Sequence, residues 1–143
     1  MKVIRTLNLV MEYWKVYIKI KLLGNNNKAR GSTYERKCVN DMKEVGFSKA
    51  VSSRAESRNM DAKKVDICYT EPFYFQCKNM VGNIKYEEIL NEMPNTENFN
   101  VILHKRTRKA KTSFITTGEY AFMKYADLLK IIKLLNDNGL LQK

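Results

Sequence analysis

Histidine and cysteine are scarce in this chain. His104 is the only histidine among 143 residues, and none of the three cysteines belongs to a C-x-x-C pair. A structural zinc site needs four such ligands, usually in closely spaced pairs, so the sequence argues against one. Cys68 and Cys77 lie within apolar runs, where a free cysteine behaves as a small apolar side chain. We therefore expect reduced thiols, as in a cytoplasmic compartment.

Long apolar runs are also missing. In the first 24 residues, charged residues alternate with apolar residues that recur at helical spacing. This pattern lacks the uninterrupted apolar stretch of a membrane span and the cleavage site of a signal peptide. It predicts an amphipathic helix that docks on the body of the protein or on a second subunit, with a membrane surface as the weaker alternative. The segment GNNNKARG predicts a linker, so we assign an N-terminal segment with linker to 1–27 and a main domain to 28–143.

Positive charge dominates the composition. Lysine and arginine number 26 against 15 acidic residues, which gives a formal net charge of +11. Such a surplus favours a polyanionic partner, with nucleic acid ahead of an anionic membrane surface. A basic protein without such a partner is the alternative that charge alone leaves open.

The order of the predicted elements indicates an α/β fold with a mixed central sheet flanked by helices. Ser32 caps the first helix of the main domain and Gly46 ends it. The second and third strands form an antiparallel hairpin that turns at Glu71-Pro72. In chain order we predict a helix at 32–46, strands at 47–55, 64–70 and 73–79, a helix at 83–93, a strand at 99–105, a basic turn at 106–112, short strands on either side of Gly118 and a helix at 126–137.

Two charged residues interrupt the strands of this predicted hairpin. Asp66 stands among apolar residues on the first strand, and Lys78 closes the run FYFQCK on the second. Gln76 and Lys78 are two residues apart and so lie on one face, and the turn brings Asp66 opposite them. Glu35, in the first turn of the preceding helix, can face the same point. Because an unpaired buried charge costs several kcal/mol, this arrangement requires a partner or a function.

A helix glutamate followed by this hairpin pattern resembles the PD-(D/E)XK nuclease superfamily. The resemblance covers roughly residues 30–105, and the order of GSTYE, GF, SSR, VDI and QCKN is most similar to archaeal-type Holliday junction resolvases and their phage relatives. It implies a restriction-endonuclease-like fold and assigns Glu35, Asp66, Gln76 and Lys78 to the catalytic positions. Val65 replaces the usual proline, and Gln76 stands where the family has an acid.

The resemblance also implies a metal cofactor, Mg²⁺ or alternatively Mn²⁺. Phosphodiester hydrolysis needs a hard cation that polarises the phosphate and lowers the pKa of the attacking water. Asp66 and Glu35 would supply carboxylates, whereas Gln76 supplies a neutral amide oxygen, so we expect weaker metal binding than with three acids. Lys78 would hold the attacking water or stabilise charge that develops on the phosphate.

The function that this resemblance implies is metal-dependent cleavage of four-way DNA junctions. Symmetric cutting of two strands requires two sites related by a twofold axis, which implies a homodimer. Such an enzyme acts in the cytoplasm of a bacterial or archaeal cell, or is encoded by a phage and acts within its host. The cations expected to contact the DNA backbone are Arg30, Arg54, Arg58, Lys105, Arg106, Arg108, Lys109 and Lys111.

Other interpretations fit the same residues. Ser32 and Glu35 have the spacing of a capping box, so Glu35 can serve the helix end alone. Asp66 and Lys78 can form a cross-strand ion pair at the margin of the sheet. At the level of function, the alternatives are a restriction or repair nuclease of the same superfamily, and a non-catalytic DNA-binding module in which Gln76 marks a decayed metal site.

Overall fold

The structure is a computed structural model that describes residues 2–142, with the side chains of residues 11–19, 21 and 26–142. Contacts divide the chain into two compact units, 1–33 and 34–143. In chain order the elements are α1 (Lys2–Glu44), β1 (Val51–Ser52), α2 (Ser53–Glu56), α3 (Arg58–Ala62), β2 (Ile67–Cys68), β3 (Phe73–Val81), α4 (Tyr86–Glu92), β4 (Phe99–Lys109), β5 (Phe114–Phe122) and α5 (Tyr125–Asp137).

The first unit is helical throughout its described residues. A helix was predicted for its beginning, but the predicted linker at 24–31 is also helical. A glycine costs a helix about 1 kcal/mol without ending it, and this segment contains no proline. Ser32 consequently lies inside α1, so the predicted helix start and the capping-box interpretation of Glu35 are wrong. No helix among residues 2–142 has the length and apolar character that a membrane span requires.

Gly46 ends α1 as its sequence position predicted. Its φ angle is 127°, in the region that favours glycine. The N–H of Gly46 donates to the carbonyl of Lys43 at 3.3 Å, and the N–H of Phe47 donates to the carbonyl of Met42 at 2.9 Å. These bonds satisfy carbonyls that the helix end would otherwise leave unpaired, and they turn the chain towards the sheet.

The second unit contains a five-stranded mixed sheet in the order β1-β2-β3-β4-β5. Strands β3 and β4 are parallel, with α4 in the connection between them, and the other neighbouring pairs are antiparallel. Ile67 pairs with Phe75, which confirms the predicted antiparallel hairpin. The mixed sheet with flanking helices is confirmed at this level of description.

Two predicted elements differ from the structure next to this hairpin. The strand expected at 47–55 is reduced to Val51–Ser52, and two short helices replace its end and the polar loop after it. The Ser57 side chain accepts a hydrogen bond from the N–H of Met60 at 3.3 Å, which caps α3. Serine favours such caps because its side chain satisfies a backbone donor at a helix start, and this local bond outweighs the weak strand pattern.

The basic segment after residue 105 is also different from the prediction. Residues 106–109 belong to β4, and β5 is one strand that includes Gly118. The turn is limited to 110–113, where the N–H of Ala110 donates to the carbonyl of Ser113 at 2.8 Å. Pairing with β5 satisfies the backbone hydrogen bonds of β4 as far as Lys109. The segment is therefore a strand, although its density of positive charge suggested a turn.

The sheet carries a hydrophobic cluster on each face. On one face, Tyr34 and Cys38 of α1 pack with Ile67, Phe75 and Val101. The other cluster contains buried residues of α4 and β4 with partly buried aromatic residues around them: Leu90, Met93 and Ile102 with Tyr74, Tyr86 and Phe122. The hairpin is therefore held from both sides, which fixes the orientation of its polar residues.

Candidate functional site

Asp66 lies immediately before β2 and is bound to β3. Its N–H donates to the carbonyl of Phe75 at 2.8 Å, and its Oδ2 accepts a hydrogen bond from the N–H of Cys77 at 2.7 Å. Ile67 with Phe75 is the pair that joins β2 to β3, so Asp66 lies at the end of this pairing. Its carboxylate is therefore held at the backbone of Cys77, the residue between Gln76 and Lys78 on β3.

Gln76 is buried, with only 4% of its surface exposed. Its Oε1 has no hydrogen-bond partner among the described residues. Leaving a buried acceptor unsatisfied costs about 1–3 kcal/mol, so such an atom calls for a physical explanation. Lys78 follows two residues later on the same face and is half-buried. Ser53 Oγ and Asn100 Oδ1 are likewise buried without a partner among the described residues, so the Gln76 oxygen is one of three such atoms.

Glu35 reaches the same region from α1 and is almost fully buried, with 4% exposed. The hydroxyl of Ser52 donates to Glu35 Oε1 in a short hydrogen bond. The Arg54 Nη2 lies 3.4 Å from Glu35 Oε2, and the Arg54 Nε lies 3.9 Å from Asp61 Oδ1. Arg54 was predicted to contact DNA, but in this structure it is paired with these carboxylates. Sequence reasoning missed Ser52, whose only signal was its place in the SSR motif.

These side chains influence one another electrostatically. The pKa of Asp66 is raised above its ordinary value of 3.8, chiefly because burial disfavours the charged form. The hydrogen bond from the Cys77 N–H opposes this rise in the pKa of Asp66. The negative charge of Glu35 raises that pKa further, whereas the positive charges of Lys78 and Arg54 lower it. Asp66, Glu35, Lys78 and Arg54 therefore form one interacting cluster.

The cluster offers oxygen atoms rather than nitrogen or sulfur. Among the described residues, no group of three or more histidine, cysteine, aspartate or glutamate side chains is arranged to hold a metal. What the cluster does contain is two carboxylates, Glu35 and Asp66, and the unpaired amide oxygen of Gln76 belongs to the residue before Cys77, whose N–H binds Asp66. Hard oxygen ligands of this kind are those that Mg²⁺ accepts. None of the ion pairs between described side chains joins Asp66 to Lys78, and the Asp66 carboxylate is instead bound by a backbone N–H.

Within the second unit, the cations predicted to contact DNA do not form a single patch. Lys105 and Arg106 are adjacent on β4 and point to opposite faces of the sheet. The Lys105 Nζ lies 5.9 Å from the centroid of the Tyr34 ring on the α1 side, whereas Arg106 Nη1 donates to Asn83 Oδ1 at 3.2 Å. The others are spread over the first unit (Arg30), α3 (Arg58), and the end of β4 with its turn (Arg108, Lys109 and Lys111).

Comparisons with protein-family models, with curated proteins and with solved structures found no match for this chain. The resemblance to PD-(D/E)XK nucleases therefore depends on the residues of this chain and stays a prediction. The structure adds the mixed sheet and the electrostatic interaction of Glu35 and Lys78 with Asp66.

The raised pKa of Asp66 predicts how stability depends on pH. Folding favours the protonated carboxyl, so its stabilising contribution is complete below the ordinary value of 3.8 and is lost as the pH rises through the raised pKa. In EDTA at neutral pH, we expect Asp66→Asn to raise the midpoint of thermal unfolding by a few degrees. This gain should shrink towards acidic pH, as thermal scans over a pH series would measure.

The control for this measurement is Asp137→Asn. Asp137 is a half-exposed carboxylate on α5, 2.9 Å from Lys133 Nζ. Its replacement should not increase thermal stability at neutral pH. An unchanged or lower unfolding midpoint for Asp66→Asn at neutral pH would show that the ionised Asp66 carboxylate does not destabilise the folded protein.

Proposed function

We propose that this protein is a metal-dependent endonuclease that hydrolyses phosphodiester bonds of branched DNA, with four-way junctions as substrate. The observation that carries the proposal is the Asp66 carboxylate, which is bound by the Cys77 N–H between Gln76 and Lys78 and interacts electrostatically with Glu35 and Lys78. A partly buried carboxylate near a second carboxylate is costly in an apoprotein, and a bound cation would offset that cost.

Each residue of the cluster has a role in this proposal. Asp66, Gln76 and Glu35 would hold Mg²⁺ or Mn²⁺ through their oxygens. The bound cation would polarise the phosphate and lower the pKa of a water molecule. Lys78 positions that water or stabilises the charge that develops on the phosphate. Because the Asp66 carboxylate already accepts a hydrogen bond from Cys77, its orientation is fixed before any ligand arrives.

Homodimer formation is part of the proposal because symmetric cleavage of a junction needs two sites. An exposed apolar surface on the second unit supports it. Helix α5 has no buried residue, although it carries many large apolar side chains. Those at least 37% exposed on α5 are Tyr125, Leu128, Leu129, Ile132, Leu134 and Leu135. Contiguous apolar surface of this kind is typical of protein–protein contacts.

A second candidate function is DNA binding without cleavage. It is favoured by the position of Glu35, because both of its carboxylate oxygens are engaged, one by Ser52 and the other by Arg54. A carboxylate held in this way must exchange a protein partner for the cation before it can act as a ligand. Gln76 is also neutral. A glutamate bound by Ser52 and Arg54 together with a neutral glutamine is the arrangement expected of a metal site that has lost its function.

A cleavage assay distinguishes these functions. The protein is incubated with a four-way junction, a linear duplex and a single strand, in Mg²⁺, Mn²⁺ or EDTA. We expect symmetric nicks in the junction alone, and only with a divalent cation. Metal-dependent cutting of the other substrates would indicate a restriction or repair nuclease. Junction binding without cleavage in any cation would instead support the non-catalytic module.

A further inference from the structure

A basic cleft of about 360 Å³ lies at the end of β3, beside β4 and β5. Arg106 and Arg108 line it, and none of its lining residues within the described chain is acidic. Its apolar wall includes Val81, which is 51% exposed. The cleft is shallow and open to solvent, and its charge suits an anion.

The guanidinium of Arg106 is fixed within this cleft. Its Nε donates to Thr117 Oγ1, its Nη1 to Asn83 Oδ1 and its Nη2 to Tyr120 Oη, each at 3.2 Å. The guanidinium carbon also lies 5.0 Å from the centroid of the Tyr120 ring. A guanidinium has five N–H donors, so these described contacts leave one donor on each terminal nitrogen. Two N–H donors held in one plane can donate hydrogen bonds to two oxygens of the same phosphate.

Gly118 makes this arrangement of Tyr120 possible. Arg106 pairs with Gly118 across the two strands, and the Tyr120 ring lies over the glycine. A Cβ atom at position 118 would come within 2.6 Å of ring carbons of Tyr120, so any larger residue would displace the ring. The ladder also has an irregularity between Arg106 and Thr107, of the kind that redirects side chains near functional sites.

Arg106 lies on the face of the sheet that carries Gln76 and Lys78. Tyr74 packs with the cluster around α4, so Gln76 and Lys78 share its face. Phe122 stacks on Tyr86 of α4, and Tyr120 is two residues away on the same face. Lys78 pairs with His104, and Arg106 is two residues further along β4. Strand spacing and rise then place the Cα atoms of Lys78 and Arg106 about 8 Å apart.

We infer that the Arg106 cleft binds a phosphate of the nucleic-acid backbone next to the phosphate at Lys78. This inference rests on the proposed function for its choice of ligand. Arg106 grips the phosphate oxygens with its two remaining N–H groups, Arg108 adds positive charge, and Val81 contacts the adjoining sugar. The substrate strand must therefore continue beyond the cleaved bond on the side of this cleft.

The test compares Arg106→Gln with Lys43→Gln, because each removes one positive charge. Lys43 is exposed in the last turn of α1, the helix that covers the opposite face of the sheet. Binding to a four-way junction is measured in EDTA over a series of salt concentrations. For Arg106→Gln we expect a loss of affinity on the order of tenfold, because a charge-assisted hydrogen bond is lost. The slope of log K against log salt should fall by about 0.9, the value for one phosphate contact.

Two further measurements do not depend on how well Arg106→Gln folds. In the wild-type protein, titration with inorganic phosphate should shift the NMR signal of the Arg106 Nε–H. In Gly118→Ala, the displaced Tyr120 ring should weaken junction binding while the net charge stays constant. Lys43→Gln should leave the affinity and the salt slope close to the wild-type values.

Equal salt slopes for wild-type protein and Arg106→Gln would overturn the phosphate subsite, as would an Arg106 Nε–H signal that phosphate leaves unmoved. A signal that shifts only with inorganic phosphate, while junction affinity is unaffected by Arg106→Gln, would show a free-anion site and also overturn the inference. If the wild-type protein binds no DNA at low salt, the proposed function fails. If the wild-type protein binds DNA and Arg106→Gln and Lys43→Gln have the same affinity and salt slope, only the phosphate subsite at Arg106 is ruled out.

Discussion

Lys78→Ala and Asp66→Asn are each expected to abolish junction cleavage and to leave junction binding largely intact. Lys78 and Asp66 act on the same phosphate in the proposed mechanism, and Lys78 already lowers the pKa of Asp66 through its charge. Removing a group that positions the attacking water or stabilises developing charge costs on the order of a thousandfold in rate. Single-turnover cleavage in Mg²⁺ measures the rate, and fluorescence anisotropy in EDTA measures binding.

The matched control for Lys78→Ala is Lys85→Ala. Lys85 is an exposed lysine at the start of α4, 3.0 Å from Glu88 Oε1, and belongs to no predicted contact with the substrate. Its removal should leave the rate of cleavage close to the wild-type rate. Cleavage at the wild-type rate by either Lys78→Ala or Asp66→Asn would mean that the catalytic site is elsewhere.

Gln76→Glu is expected to preserve or increase cleavage and to lower the Mg²⁺ concentration that half-maximal activity requires. The substitution replaces a neutral oxygen by a carboxylate at a position that is 4% exposed. Without metal, this third carboxylate beside Asp66 and Glu35 should lower thermal stability, because buried like charges repel. With Mg²⁺ it should increase the metal-induced rise in the unfolding midpoint. Parallel titrations of cleavage and thermal stability measure both effects.

Gln76→Leu provides the comparison of similar size without a ligand oxygen. It removes the unsatisfied acceptor, so we expect a more stable apoprotein whose unfolding midpoint responds little to Mg²⁺. Loss of an existing activity in Gln76→Glu would contradict metal ligation at this position. If Gln76→Glu and Gln76→Leu both leave the Mg²⁺ response at the wild-type level, the site is decayed and the DNA-binding function is favoured.

The hairpin and its polar residues could be predicted because their determinants are local. A short turn at Glu71-Pro72 fixes the register of the two strands, and the register pairs Ile67 with Phe75. The end of α1 at Gly46 is local in the same sense, since it depends on one residue that adopts a positive φ angle. A sequence contains these constraints in adjacent residues, so pattern and spacing are sufficient to recognise them.

The surroundings of Glu35 could not be predicted because they depend on tertiary packing. Ser52 and Arg54 follow Glu35 by only 17 and 19 residues, yet they meet it only because β1 pairs with β2 beneath α1. The same limitation explains the basic segment of β4. Its charge suggested an exposed turn, and only pairing with β5 shows that Lys105 and Arg106 face opposite ways.

The parallel pairing of β3 with β4 has a consequence for synthesis on the ribosome. Every candidate catalytic residue, from Glu35 to Lys78, is translated before Phe99, where β4 begins. Until β4 emerges, the nascent β3 presents one row of unpaired N–H and C=O groups along its most apolar stretch. A chain arrested before residue 99 would therefore contain every candidate catalytic side chain, while the edge of β3 remains unpaired and prone to aggregation. Such intermediates are the ones that chaperones bind during translation.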